Sequence, residues 1–262
     1  DSELDALEAR ISADDEKSPI DLSARTLVRI FSNGSFKAGG RFYRGWWQNV
    51  PSEYRKHITI DMKRTVEYDF SQLNPHMLYY AYNKELGSED AYSRVLDGEH
   101  RDLVKSAFNA MIQASTPLRN CPSDIDPSIA DMSWGELRDR IIAAHKPIEH
   151  LFFDGIGNKM QFEDSCICEG VMLHFAAMDA PALPVHDSFI MHHGFGGELE
   201  EAMRREFYNR LGGNIPTSDE MLEWTPSDDS PPRSVGFEEV FEAEKEYSKW
   251  QARNDAWFAK KK

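Results

Sequence analysis

The clearest alternation of apolar and polar positions falls in short stretches that carry an aspartate. In TVEYDF (65–70), Val66 and Tyr68 occupy one face and Glu67 and Asp69 the other, while in HITIDM (57–62) Ile58, Ile60 and Met62 share a face. A period of two is the mark of a half-buried strand, so these stretches predict adjacent strands in a hairpin turning at Lys63-Arg64. Leu183 to Met191 (LPVHDSFIM) is a third strand stretch, a short hairpin with Asp187 set between a histidine and a serine. Helical spacing of apolar residues returns at 98–115, 133–152, 159–178 and 197–211, and Pro75 fits the first turn of a helix running through Tyr82. Residues 2–13 and DLSARTLVRIFSN (21–33) read as short amphipathic helices, the second capped by Asp21 or Ser23. GSFKAGGRFYRGWWQNVP (34–51) is too rich in Gly and aromatics for a helix. Residues 212–235 form a Pro- and Ser-rich connection, and the charged stretch 237–261 is a terminal helix. The sum is an α+β body, a small antiparallel sheet carrying carboxylates with helices around it.

Composition narrows the class without naming a chemistry. At 262 residues, 40% hydrophobic and 29% charged, the chain has the make-up of a globular protein able to bury a sizeable core. It has no run of roughly 18 apolar residues, so no membrane is expected. The start is acidic and polar rather than basic and then apolar, against a secretory signal, and it lacks Met, as a trimmed or partial chain would. Cys121, Cys166 and Cys168 make no paired metal or disulfide framework, which leaves buried thiols in a reducing cytoplasm as the simplest expectation. The net charge of −15 argues against nucleic acid if taken whole. Between residues 22 and 66, however, Arg25, Arg29, Lys37, Arg41, Arg44, Arg55, Lys56, Lys63 and Arg64 face only Glu53 and Asp61. That local excess is either a phosphate-binding surface or a solvated positive face.

Two strand-end aspartates are the right residue types on the right elements for nucleotidyl transfer. That reaction uses two divalent ions about 4 Å apart, and carboxylates on neighbouring strands can bridge both. Taken singly, each is more simply a turn or capping aspartate. A companion lies in GEHRDLVKSAFNAMIQAS (98–115), where Arg101, Lys105, Asn109 and Gln113 recur every four residues, opposite an apolar stripe of Val104, Phe108 and Met111. One helix face then offers two cations for a triphosphate followed by two amides for sugar and base; the plain alternative is a surface helix with its polar side in water. Trp46-Trp47 beside Arg44 suits either stacking on bases or packing on the sheet, packing being the simpler. His192-His193 is read as a strand-exit turn, and His145, His150 and His174 show no ligand spacing.

The ordered series GRF…WWQNVP (40–51), DFSQL (69–73), R-x-x-x-K (101–105), MQ (160–161) and VHDS (185–188) resembles the polymerase domain of family A DNA polymerases, with phage-type single-subunit RNA polymerases as relatives. The resemblance covers about residues 38–191. It implies a palm whose metal ligands are Asp69 and Asp187, with two Mg2+ ions as cofactors and Mn2+ as a substitute. It also implies a fingers helix with Arg101 and Lys105 on the triphosphate, and Asn74, Asn109 and Gln113 near the nucleotide. Arg41 and Gln161 would touch the minor-groove side of the primer-template end, with His186 beside the primer terminus. Partners would be a primer-template, dNTP or NTP, and a replication protein supplying processivity. Asn74 stands where the family's DNA polymerases usually carry a glutamate that blocks a ribose 2′-OH, Gln113 replaces the tyrosine that partners it, and His-Asp-Ser replaces His-Asp-Glu. A primase-like relaxation of sugar choice follows. The intervals between motifs are short for the family, so the fingers are reduced; before residue 38 there is little room for a thumb and none for a proofreading exonuclease. The expected organisation is an N-terminal helical segment (1–37), a catalytic body (38–211) and a connection with a C-terminal helix (212–262). The rival expectation is a catalytically weak palm that scaffolds a replication assembly.

Overall fold

The computed structural model describes residues 20–220; the helix expected over 2–13, most of the connection beyond 220 and the terminal helix over 237–261 lie outside them. The architecture is mixed α+β, as expected, with two small antiparallel sheets and helices packed on them. Strands β1 (Val28–Ser32) and β2 (Ser35–Tyr43) form a two-stranded ribbon. A second sheet runs β3 (Thr59–Ile60), β4 (Lys63–Phe70), β6 (Ser188–His192), β5 (Leu183–Val185), with β7 (Thr217–Glu220) pairing the end of β4. The helices are a single turn α1 (Ser52–Arg55), then α2 (Leu73–Ala81), α3 (Arg101–Gln113), α4 (Trp134–Ala144), α5 (Gly157–Ala176) and α6 (Gly196–Leu211).

Three expectations need correction. The helix expected over 21–33 is a turn followed by β1. Asn33 and Gly34 both take left-handed backbone (φ 56° and 62°), the two-residue turn that joins twisted antiparallel strands, and this pairing overrides the weak helical spacing of Leu27 and Ile30. The hairpin turn between β3 and β4 falls at Asp61-Met62, both left-handed, so Met62 is exposed rather than aligned with buried Ile58 and Ile60. Within the polar connection, Thr217–Glu220 is a strand because its backbone completes the edge of β4 that β3 leaves open.

The second sheet is covered on both faces. Phe70, Phe189 and Met191 belong to the main core, built with Met77, Leu78, Val104, Phe108, Met111, Val171 and Phe207 from the helices. Val185 and Ile190 face a smaller cluster of Ile20, Trp47, Val50 and Ile58. Alternation along β4 is as read: Val66 and Tyr68 lie opposite Met191 and Phe189, and Glu67 and Asp69 lie opposite Ile190 and Ser188 on the smaller-cluster face. Trp47 is buried and its indole N–H donates to the Pro184 carbonyl at 2.9 Å, so the tryptophan pair packs the sheet rather than waiting for bases. No helix among the described residues is long and apolar enough to cross a membrane.

Candidate active site

Asp69 lies at the end of β4 and Asp187 in the two-residue turn between β5 and β6, so the β4–β6 ladder brings both to one corner of the sheet. Asp69 pairs in register with Ser188, and the Phe70 amide donates to the Asp187 carbonyl at 3.4 Å. His186, left-handed (φ 55°) and exposed, tightens that turn. Asp69 Oδ1 is buried with no hydrogen-bond partner among the described residues. Burial first, and the neighbouring Asp187 second, push the Asp69 carboxyl up to about 7, with Lys105 of α3 acting against them. A buried oxygen without a donor beside a second carboxylate marks a place where positive charge is wanted.

The loop before α3 is anchored to the same corner. Gln72, left-handed at φ 55° just before α2, accepts the Ala91 amide at 2.5 Å through its side chain. Asp90 follows from that anchor and takes Arg101 in a two-oxygen grip, with Nη2–Oδ2 at 3.0 Å, while the guanidinium lies 5.2 Å from the Tyr92 ring centroid. Burial opposes the Asp90 charge, but Arg101 and Ser93 outweigh it and hold its carboxyl below the usual range. Arg101 is therefore engaged within the protein, and Lys105 is the exposed cation whose charge reaches Asp69. Val104, Phe108 and Met111 form the buried stripe of α3 as read.

Asn109 Oδ1 accepts from Asn74 Nδ2 at 2.9 Å. The partner of Asn74 is thus one turn earlier on α3 than the residue expected from the resemblance; Gln113 is exposed and packs over Gly157 at the start of α5. On the other side of the corner, Arg41 Nε donates to Asp164 Oδ2 at 2.6 Å, and both line a cleft with His186, Phe42, Ser165 and Cys168. Gln161 lies three residues before Asp164 on α5, hence on the same side of that helix. The basic strip of 22–66 is partly neutralised: Arg29, Arg41 and Arg55 pair with Glu169, Asp164 and Glu67.

Sequence reading missed Asp164, Asp90 and Glu67. Asp164 is almost fully buried, and burial pushes its carboxyl up to about 6 despite Arg41. Nothing in the local pattern of α5 separates it from the other polar positions of that helix. Among the described residues no group of three or more His, Cys, Asp or Glu side chains is arranged to hold a metal ion. The Asp69–Asp187 pair still suits a hard divalent cation such as Mg2+, which is bound through one or two carboxylates and keeps water and substrate phosphate as its other ligands. The unpartnered Asp69 oxygen is the observation that fits it.

No family model matches the chain, and no curated protein matches it. Solved structures similar to it include the POL domain of Pol1 from M. smegmatis in a complex with DNA primer-template and dNTP, at 13% identity and a TM-score of 0.45. That match covers 71% of this chain and 45% of the other, so the chain spans less than half the length of that structure.

Proposed function

We propose that this chain is a template-directed nucleotidyltransferase that extends a 3′-OH end with nucleoside triphosphates. The observation that supports it best is the Asp69–Asp187 corner, with its buried unpartnered oxygen and its raised Asp69 carboxyl. The resemblance of five ordered motifs points the same way. Asp69 and Asp187 would hold two Mg2+ ions, which supply activation of the attacking 3′-hydroxyl and neutralisation of the pyrophosphate leaving group.

The chain's own residues do the rest. Lys105, exposed and electrostatically coupled to Asp69, is the cation presented to the triphosphate. Arg101 joins it by exchanging the Asp90 carboxylate for phosphate oxygens of like geometry. The Asn74–Asn109 pair sits between α2 and α3 as the polar contact for the sugar, and Asn74, one methylene shorter than a glutamate, leaves space for a ribose 2′-OH that its amide can hydrogen-bond. Gln113 stands at the end of the same helix. The cleft of Arg41 and His186, with Gln161 on the same flank, receives the primer end; Arg41 is held straight by Asp164.

The test is primer extension by the full chain with Mg2+ or Mn2+, dNTPs and NTPs being supplied separately. Template-dependent addition is expected. Absence of addition with both metals and both sugars, from a chain that melts cooperatively, contradicts the reading.

A further inference from the structure

Glu67 is a buried carboxylate that the proposed chemistry has not used. It is 8% exposed, lies two residues before Asp69 on the same face of β4, and a single oxygen, Oε1, accepts from two donors. One is Arg55 Nη1 at 3.0 Å; the other is Ser188 Oγ at 2.5 Å. Burying a carboxylate is costly unless it is fully paired, so this triad holds its geometry firmly. Arg55 is itself fixed, since its Nε donates to the Val50 carbonyl at 3.1 Å.

Ser188 gives the triad its consequence. It follows Asp187 directly, is buried, and its Oγ also lies 3.0 Å from the Val185 carbonyl, across the His186-Asp187 turn. The hydroxyl has one proton. Held by Glu67, Ser188 fixes the base of the turn on which Asp187 rides. Glu67 therefore touches both halves of the corner, Asp69 through the strand they share and Asp187 through Ser188.

We propose that Glu67 is a positioning residue for the Asp69–Asp187 site, setting through Ser188 the turn that presents Asp187, with Arg55 holding it in place. The inference rests on the reading of that corner as a cation site. Partners that orient a metal ligand from behind are worth about 10–100-fold in metal affinity or activity.

The experiment measures Mn2+ affinity of the full chain from the free-ion electron paramagnetic resonance signal, alongside melting temperature and single-nucleotide incorporation. Ser188→Ala removes the donor and is expected to weaken Mn2+ binding by about 10–100-fold. Ser188→Thr keeps the hydroxyl and is expected to stay within about threefold of wild type. In a Glu67→Gln background, adding Ser188→Ala is expected to cost less than about threefold more, because the two act as one unit. Ser188→Ala binding Mn2+ like wild type, or single effects that simply multiply in the double variant, overturns the proposal. A wild type that shows the coupling yet incorporates no nucleotide removes the polymerase reading and leaves the role of Glu67 standing. Incorporation by wild type with Ser188→Ala unchanged in both affinity and kcat does the reverse. A wild type that binds no Mn2+ overturns both.

Discussion

Asn74 in the first turn of α2 donates its amide N–H to Asn109 in the middle of α3 at 2.9 Å, tying the strand-helix unit that carries Asp69 to the helix that carries Lys105. Asn74 is fixed by this contact, and in the function proposed above its short amide leaves room for a ribose 2′-hydroxyl. Asn74→Glu should raise the preference for dNTPs over NTPs by at least about tenfold in kcat/KM, roughly 1.4 kcal/mol in the transition state. Competing incorporation by wild type and variant gives the ratio. A wild type already strict against NTPs, with a variant no stricter, places the discrimination elsewhere.

Asp90 holds Arg101 in the two-oxygen grip that a phosphate group would use. Nucleotide binding through Arg101 then requires that this ion pair open, which lowers apparent affinity by the fraction of time it is closed. Asp90→Asn should lower nucleotide KM by about 3–10-fold with kcat within about twofold of wild type. Steady-state kinetics at fixed primer-template decides it; an unchanged or higher KM means Arg101 does not serve the nucleotide.

The path from sequence to site was legible where periodicity was strong. Val104, Phe108 and Met111 on α3, and Val66 and Tyr68 against Glu67 and Asp69 on β4, lie on the faces their spacing implied, because burial against one core enforces a period. The stretch 21–33 misled because Leu27 and Ile30 are spaced three apart while the decisive signal is the Asn33-Gly34 dipeptide that turns the chain. At Asp61-Met62 a left-handed turn forms without glycine, so the turn is displaced from its expected place. Asp69 draws notice in the sequence by ending a strand and Asp187 by sitting in a short hairpin, and the β4–β6 pairing brings the two to one corner. Their supports do not stand out in this way, since Asp90, Asp164 and Glu67 gain meaning only from Arg101, Arg41 and Ser188, partners distant in sequence or on another strand.

Asp69 also governs a pH effect. Its carboxyl, raised to about 7 from an ordinary 3.8, keeps its proton in the folded chain where the unfolded chain has lost it. Without a divalent cation this contribution is fully present below about pH 4 and is lost as pH rises through 7; Asp164, raised to about 6, acts in the same sense. Asp69→Asn should therefore stabilise the metal-free chain at pH 8 by about 1–2 kcal/mol, allowing for solvent screening of a half-buried group, and by much less at pH 5. Thermal melts at the two pH values measure it. A variant no more stable than wild type at pH 8 would show that Asp69 is not strained by its surroundings.

Arg41 and Asp164 form the ion pair behind the cleft that His186 also lines, with the Asp164 side chain only 3% exposed. Removing the carboxylate leaves a largely buried guanidinium without its partner, so Asp164→Ala should destabilise the fold by about 3–5 kcal/mol. Urea unfolding gives the value; a loss under about 1 kcal/mol means that Arg41 swings to solvent and is not held at the cleft.

The central claim is that Asp69 and Asp187 together hold the cations of nucleotidyl transfer, and single-nucleotide incorporation on a primer-template by Asp69→Ala and Asp187→Ala tests it most directly. Loss of either carboxylate should lower the rate by at least about a thousandfold, the worth of roughly 4 kcal/mol of transition-state stabilisation, in variants that keep the wild-type circular dichroism and cooperative melting. Incorporation within about tenfold of wild type by either folded variant would contradict the assignment.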